Sequence, residues 1–320
     1  MTVPEPGAST KRQAQRETIP AGGGCEDSRG DDLASRRRPP SGACEKHHAG
    51  RTYSQTRVGR TSKMTITVEQ LTQSAFAQKC LLEAVRVDGY LTRDALPVEP
   101  EFVRDPDEHE FYVLMVGAAI TEVLGIARQL EHSVAYVSSF SYSRIQKDKK
   151  VSRVDHLQYV TENFLLRTQT VYDRLLQLVA ATFHLLLDQR DCHEKTVIRN
   201  VRVSRTSIPK ALVAFRKVTD TYRDSRNEVV HRGSFKHDIL CKARLFELTD
   251  SIDGVAEQQR RYWRAARAKY VKAFATKQKK EIVSFNRDLL VQMENLFSEL
   301  DSVYDEQRQR LKQLFGEVGA

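Results

Sequence analysis

The sequence predicts an all-α protein: an antiparallel bundle of long helices behind a disordered N-terminal arm. Three observations predict it. From Asp107 onward, apolar residues recur at spacings of three and four, the period of a helix with one buried face. After Met64 there is no run of alternating apolar and polar residues of the kind that marks a strand. Residues 1–63 are rich in Gly, Pro, Ser and Arg and nearly free of large apolar residues, so they cannot bury enough surface to offset their ordering entropy.

The chain has 320 residues, 40% of them apolar and 29% charged, enough to bury a core in one large or two small domains. The mean hydropathy of −0.52 predicts a soluble protein. No run of eighteen or more purely apolar residues suggests a membrane span, and the N-terminus lacks the apolar core of a signal peptide. Cys25, Cys44, Cys80, Cys192 and Cys241 are scattered and odd in number, which favours a reducing, cytoplasmic setting over a disulfide framework. A net charge of +9 suits a polyanionic partner.

The elements follow in order. Residues 1–63 form the basic arm, with Gly22-Gly23-Gly24 and Arg36-Arg37-Arg38-Pro39-Pro40 as its most irregular blocks. Normal apolar usage begins at Met64, which makes Met64 a candidate true start; the other reading is a flexible basic tail. Cys25, Cys44, His47 and His48 match no standard zinc spacing. In residues 64–106, a short amphipathic helix over 68–86 carries Leu71, Phe76, Leu81, Leu82 and Val85. A connector with Pro97, Pro100 and Pro106 follows it.

Residues 107–320 form the helical-bundle domain. Its first helix, about Asp107 to Val137, repeats Tyr112, Val116, Ile120, Val123, Ala127, Leu130 and Val134. After a polar, basic loop, a helix from about Val154 to Gln189 presents a stripe wide enough to touch several neighbours, from Leu157 and Phe164 through Leu175 to Leu186. Asp191 to Ser207 reads as a polar connector, and Pro209 suits the first turn of a helix running from Lys210 to His231. Another helix spans Ile239 to Glu257, and a basic segment covers 258–280. A last long helix over 281–315 repeats Ile282, Phe285, Leu289, Met293, Leu296 and Leu300, close to a coiled-coil seam.

One stretch is unlike ordinary core packing: Arg223-Asp224-Ser225-Arg226-Asn227-Glu228-Val229-Val230-His231-Arg232-Gly233. At about 100° per residue, Arg226 falls among Phe215, Val218, Tyr222 and Val229, on the apolar face. His231 lies roughly 140° round the helix from it. A guanidinium on an apolar face needs a partner, a cleft or a subunit interface. Asn227 and His231 are one turn apart, so Asn227 can orient the imidazole, and Arg223 extends the same row. Arg226 and His231 converge only if the helix ends near Arg232-Gly233 or if two subunits meet there. The plain alternative is a buried arginine paired to a carboxylate, with His231 a polar helix end.

The hexapeptide from Arg226 to His231, R-N-x-x-x-H, resembles the signature of the HEPN superfamily of helical-bundle domains. The helix bearing Glu162-Asn163-Phe164 and Val171-Tyr172-Asp173-Arg174 is similar to HEPN relatives as well. The resemblance covers about 107–257. It implies a metal-independent endoribonuclease without cofactors, acting as a homodimer on RNA in a defence or toxin system, with an antitoxin or nucleotidyltransferase-type protein as a further partner and no membrane. His231 would move a proton to or from a ribose oxygen, Arg226 would hold the phosphate, and Asn227 and Arg223 would assist. Cleavage would leave a 2′,3′-cyclic phosphate. An added acidic residue is expected from a neighbouring helix, with Asp173 and Glu131 as rivals. A silent HEPN module that binds RNA, a nucleotide or a protein is the alternative, and a structural helical protein the next.

From Arg260 to Lys280 the chain carries nine basic residues and no acidic one. Arg260, Arg261, Arg264, Arg267 and Lys269, interleaved with Trp263 and Tyr270, read as an RNA-backbone surface with stacking aromatics. The alternative is a solvated helix whose aromatics pack on the bundle. Cys192-His193 lacks an orienting third group, and no Gly-rich phosphate loop is present.

Overall fold

The computed structural model describes residues 66–91, 105–140, 148 and 151–315. All of them belong to one compact unit covering 60–320. Residues 1–63 fall outside the description, and with them Met64 and the Cys25, Cys44, His47 and His48 group.

Every described element is helical. They run α1 Val68–Thr72, α2 Ala75–Leu91, α3 Glu108–Ser138, α4 Arg153–Thr182, α5 Glu194–Arg199, α6 Val201–Ser204, α7 Ile208–Thr219, α8 Arg223–Arg232, α9 Asp238–Asp250 and α10 Glu257–Phe315. The starts of α1, α3 and α4 are set by reciprocal capping boxes, Thr67 with Gln70, Asp107 with Glu110 and Ser152 with Asp155.

The core lies between α2, α3, α4 and the second half of α10, where Tyr112, Ile120, Leu130, Phe164, Leu175, Phe297 and Leu300 are fully buried. An 18-residue window of α3 has a mean hydropathy of 1.6, apolar enough by composition to cross a membrane. This amends the expectation that no segment has that character. Here α3 is packed by α2, α4 and α10, and its apolar side chains build the bundle interior.

Several boundaries differ from those expected. The helix over 68–86 is two, α1 and α2, and extends to Leu91. Helix α4 stops at Thr182, seven residues early. His184 takes a left-handed φ of 50°, while His184 N–H bonds the Ala181 carbonyl and Leu185 N–H that of Ala180, each at 2.9 Å. That is a Schellman stop with histidine where glycine is usual, and it leaves Leu186 exposed rather than on the stripe. The polar connector folds into α5 and α6, which bury Val197 and Val203.

The helix expected over 210–231 is broken by a 3-10 turn at Asp220–Tyr222. The run Thr219-Asp220-Thr221 consists of weak helix formers, and the Thr219 hydroxyl bonds back to the Arg216 carbonyl at 3.1 Å. Finally, the basic segment 258–280 is no separate unit. With neither Gly nor Pro between Val255 and Phe315, it is continuous with the last helix. The seam on that helix packs inside its own bundle: Ile282, Leu289, Met293 and Leu300 are all fully buried.

Candidate functional site

The site is built on α8 where it crosses α4. Tyr222, at the start of α8, anchors the crossing: its ring meets those of Phe164 on α4 and Phe285 on α10 edge-on, each at 5.3 Å. Burial pushes the Tyr222 phenol up to about 12. Gly233 ends α8 in the left-handed region, φ 74°, with its N–H on the Val229 carbonyl. The segment beyond is tied back to α4 by Glu162, whose carboxylate accepts the Phe235 N–H at 2.8 Å. Glu162 therefore fixes the exit of α8.

Arg226 is half-buried on the same side as Val229. Its Nη1 donates to Asn227 Oδ1 at 3.1 Å. Its Nε is buried and has no hydrogen-bond acceptor. Asp173, on α4, lies within its electrostatic reach. Asp173 is exposed at the surface, yet the chain packed around it removes enough water to raise its carboxyl from the ordinary value. A hydrogen bond from Gln169 and the charges of Arg226, Arg174 and Arg216 act in the opposite sense. Asp173 thus feels three guanidinium charges, two of which, Arg174 and Arg216, are themselves paired to other carboxylates.

Two of those were not anticipated from sequence. Arg216, on α7, pairs with Glu194 and with Asp220 at 3.5 Å, and its guanidinium lies 5.8 Å from the Tyr172 ring centre. Arg174 pairs with Glu122 at 2.8 Å. Arg174 is the chain neighbour of Asp173, whereas the proximity of Arg216 depends on how α7 packs against α4, which helix periodicity does not report. Tyr172 is also close. Its phenol, pushed up to about 12 chiefly by burial, has a buried hydroxyl with no partner. Burial, with Asp173 adding to it, pushes the Cys192 thiol up to about 11, so it is poorly suited to act as a nucleophile near neutral pH.

The remaining expected residues divide. His231 is exposed in the last turn of α8, and Arg223 is exposed at its start. Asn227 spends its carbonyl oxygen on Arg226 rather than on the His231 ring. Arg226 and His231 do not converge within one chain: one turns toward α4 and the other toward solvent. Glu131 belongs elsewhere, accepting the Val68 N–H at 3.4 Å at the start of α1; of the two acidic rivals, only Asp173 is at the site.

The basic surface is largely engaged by its own fold. Arg260 donates to the carbonyls of Asp250 at 2.5 Å and Ile252 at 2.6 Å, closing the turn between α9 and α10. Arg264 Nε reaches both Asp250 carboxylate oxygens, at 3.0 and 3.1 Å. Arg267 faces Glu247 at 3.9 Å and Arg261 faces Glu257 at 3.5 Å. Tyr270 stacks on Phe246 with centroids 5.8 Å apart, and Trp263 is half-buried. Lys269 is exposed. Tyr270 therefore serves packing rather than offering a free stacking face.

Comparison with known families gives one match: the family model described as Cthe2314-like HEPN fits residues 120–306. The match runs through the basic segment and most of α10, further than the hexapeptide and its neighbouring helix imply. No curated protein and no solved structure matches the chain.

Proposed function

The chain belongs to the Cthe2314-like HEPN family, and from that premise we propose that it is a metal-independent endoribonuclease built around Arg226 and His231. One observation carries the reading. The buried Nε of Arg226 has no acceptor, in a guanidinium already oriented by Asn227 and within electrostatic reach of Asp173. A buried charged donor without an acceptor is costly, and a phosphate oxygen is the acceptor whose geometry and charge a guanidinium fork matches.

In the reaction, His231 takes the proton from a ribose 2′-OH as that oxygen bonds to phosphorus. The bond from phosphorus to the 5′-oxygen breaks, and the leaving oxygen receives a proton from an imidazolium. The products are a 2′,3′-cyclic phosphate and a 5′-hydroxyl. Arg226 stabilises charge on the non-bridging oxygens, and Asp173 positions Arg226. Because the two side chains diverge around one helix, a second copy of the chain completes the site, consistent with a homodimer.

Cleavage of RNA in EDTA tests the proposal. Arg226→Ala and His231→Ala should each lower the rate by roughly 10²–10⁴-fold without altering the far-ultraviolet spectrum; undiminished cutting by either variant refutes the assignment. One observation favours the second reading, a non-catalytic module: among the described residues no hydrogen bond holds the His231 ring, and the Asn227 carbonyl oxygen is engaged by Arg226. Salt-dependent RNA binding without cleavage would decide for that reading.

A further inference from the structure

At the far end of α4, roughly 30 Å along the helix from Asp173, lies a cavity of about 560 Å³ between the start of α4, α9 and the first half of α10. Arg153, Arg264, Arg267 and Lys272 line it, with Glu247 the one acidic residue on its wall and Val271 on its apolar side. These groups come from three elements, and nothing in the cleavage site uses them.

Three features describe what would fit. Arg264 is held by Asp250 and lies 3.6 Å from Glu257, and Arg267 lies 3.9 Å from Glu247; Arg153 and Lys272 still leave the wall with an excess of positive charge. Arg153 Nε is buried and has no hydrogen-bond acceptor. Arg153 is also the first residue of α4, whose opening amides lack intrahelical acceptors and carry the positive end of the helix dipole. The Asp155 carboxylate offsets part of that field, bonding Ser152 N–H at 3.1 Å and Arg244 at 2.8 Å. A buried donor, forked guanidinium groups and a net positive wall call for an oxyanion. The volume exceeds what one phosphate fills and lies in the range of small-molecule sites, about 300–1,000 Å³.

We infer that this cavity binds a small ligand through a chain of phosphate groups, of di- or triphosphate size, at a site separate from the RNA-cleaving one. Arg153 and Arg267 grip it, and Arg264, held in place by Asp250, presents a fixed guanidinium.

The full-length protein can be dialysed to equilibrium against labelled tripolyphosphate at constant ionic strength. Emission of Trp263, the chain's single tryptophan and the neighbour of Arg264, is followed in parallel. Saturable binding of one equivalent per chain is expected. Arg153→Ala and Arg267→Ala should each weaken it by roughly tenfold to a hundredfold, while Arg153→Lys weakens it less. Arg153→Ala should leave RNA cleavage unchanged, so the two proposals fail independently. Absence of saturable uptake overturns the inference. So does binding that both alanine variants leave intact. Uptake of RNA through these residues with none of tripolyphosphate also overturns it, marking the patch as a backbone surface instead.

Discussion

Helix α3 carries a glycine where α2 crosses it most closely, and replacing it gives a measurable strain. A Cβ placed on Gly117 would lie 2.3 Å from the Ala84 Cβ and 3.6 Å from the Cys80 carbonyl oxygen. Carbon atoms in contact prefer about 3.5–4.0 Å, so Gly117→Ala requires α2 and α3 to separate locally by roughly 1.2–1.7 Å. Overpacking of this kind costs about 1–3 kcal/mol. The gain in helix propensity from Gly to Ala returns about 1 kcal/mol, leaving a net loss of about 0–2 kcal/mol. Ala84→Gly alone should also destabilise, by about 1–2 kcal/mol, through lost propensity and a lost buried methyl. Combined, the two changes move the methyl from one helix to the other and should return the protein near its starting stability. Their coupling, of about 1–4 kcal/mol, then reports the strain together with the burial of the methyl. Urea unfolding followed by circular dichroism of the four proteins checks this. If Gly117→Ala stabilises the fold, or if the two changes simply add, the close approach of α2 and α3 is not as described.

Other outcomes follow from the site and its surroundings. His237 caps α9 through Nδ1, which accepts the Ile239 N–H at 3.2 Å. Burial and Lys277 lower its pKa, with Asp238 and Glu281 opposing, so the folded state binds fewer protons than the unfolded one. Stability from this group is full above about pH 6.5 and is lost as pH falls below that value. His237→Asn keeps a cap without the titration and should flatten, though not abolish, the decline in unfolding free energy below pH ~6.5, since the His184 pKa is lowered as well. Arg226→Ala should raise the Asp173 pKa further, read by carboxyl NMR titration; no movement would refute their proximity. At pH 8 Cys192 should label with a maleimide far more slowly than the exposed Cys241. Arg260→Met should free the carbonyls of Asp250, Ile252 and Val255 and speed hydrogen exchange in the last turn of α9.

The helical class, the positions of α3 and α4 and the buried seam of α10 were legible because each rests on one apolar stripe repeating at helical period. What periodicity could not give was where a stripe stops. The end of α4 depends on His184 accepting a left-handed backbone, for which the sequence offers no glycine. The break before α8 depends on the weak helix formers Thr219, Asp220 and Thr221. At the site, Arg226 was found because it intrudes on an apolar face, and Asp173 was named although it lies off its own stripe. Arg216 has nothing local that sets it apart; only the packing of α7 against α4 brings it near Asp173, whereas Arg174 is simply the next residue in the chain. The basic segment shows the converse. Its charges are conspicuous in sequence, while the carbonyls and carboxylates that engage several of them, from Glu247 to Glu257, precede them in the chain.

The 59 residues of α10 form one uninterrupted helix, about 88 Å long, and that continuity locks two surfaces in phase. The half that fills the core and the half that carries Arg264, Arg267 and Lys272 share a single screw. One residue inserted near Thr276 would turn the basic face by about 100° relative to the core and advance it about 1.5 Å, carrying its guanidinium groups away from Arg153. Three or four residues would restore the facing but slide it by about one turn. The spacing along this helix is therefore set by two surfaces at once, and in this stretch an insertion is far less tolerable than a substitution.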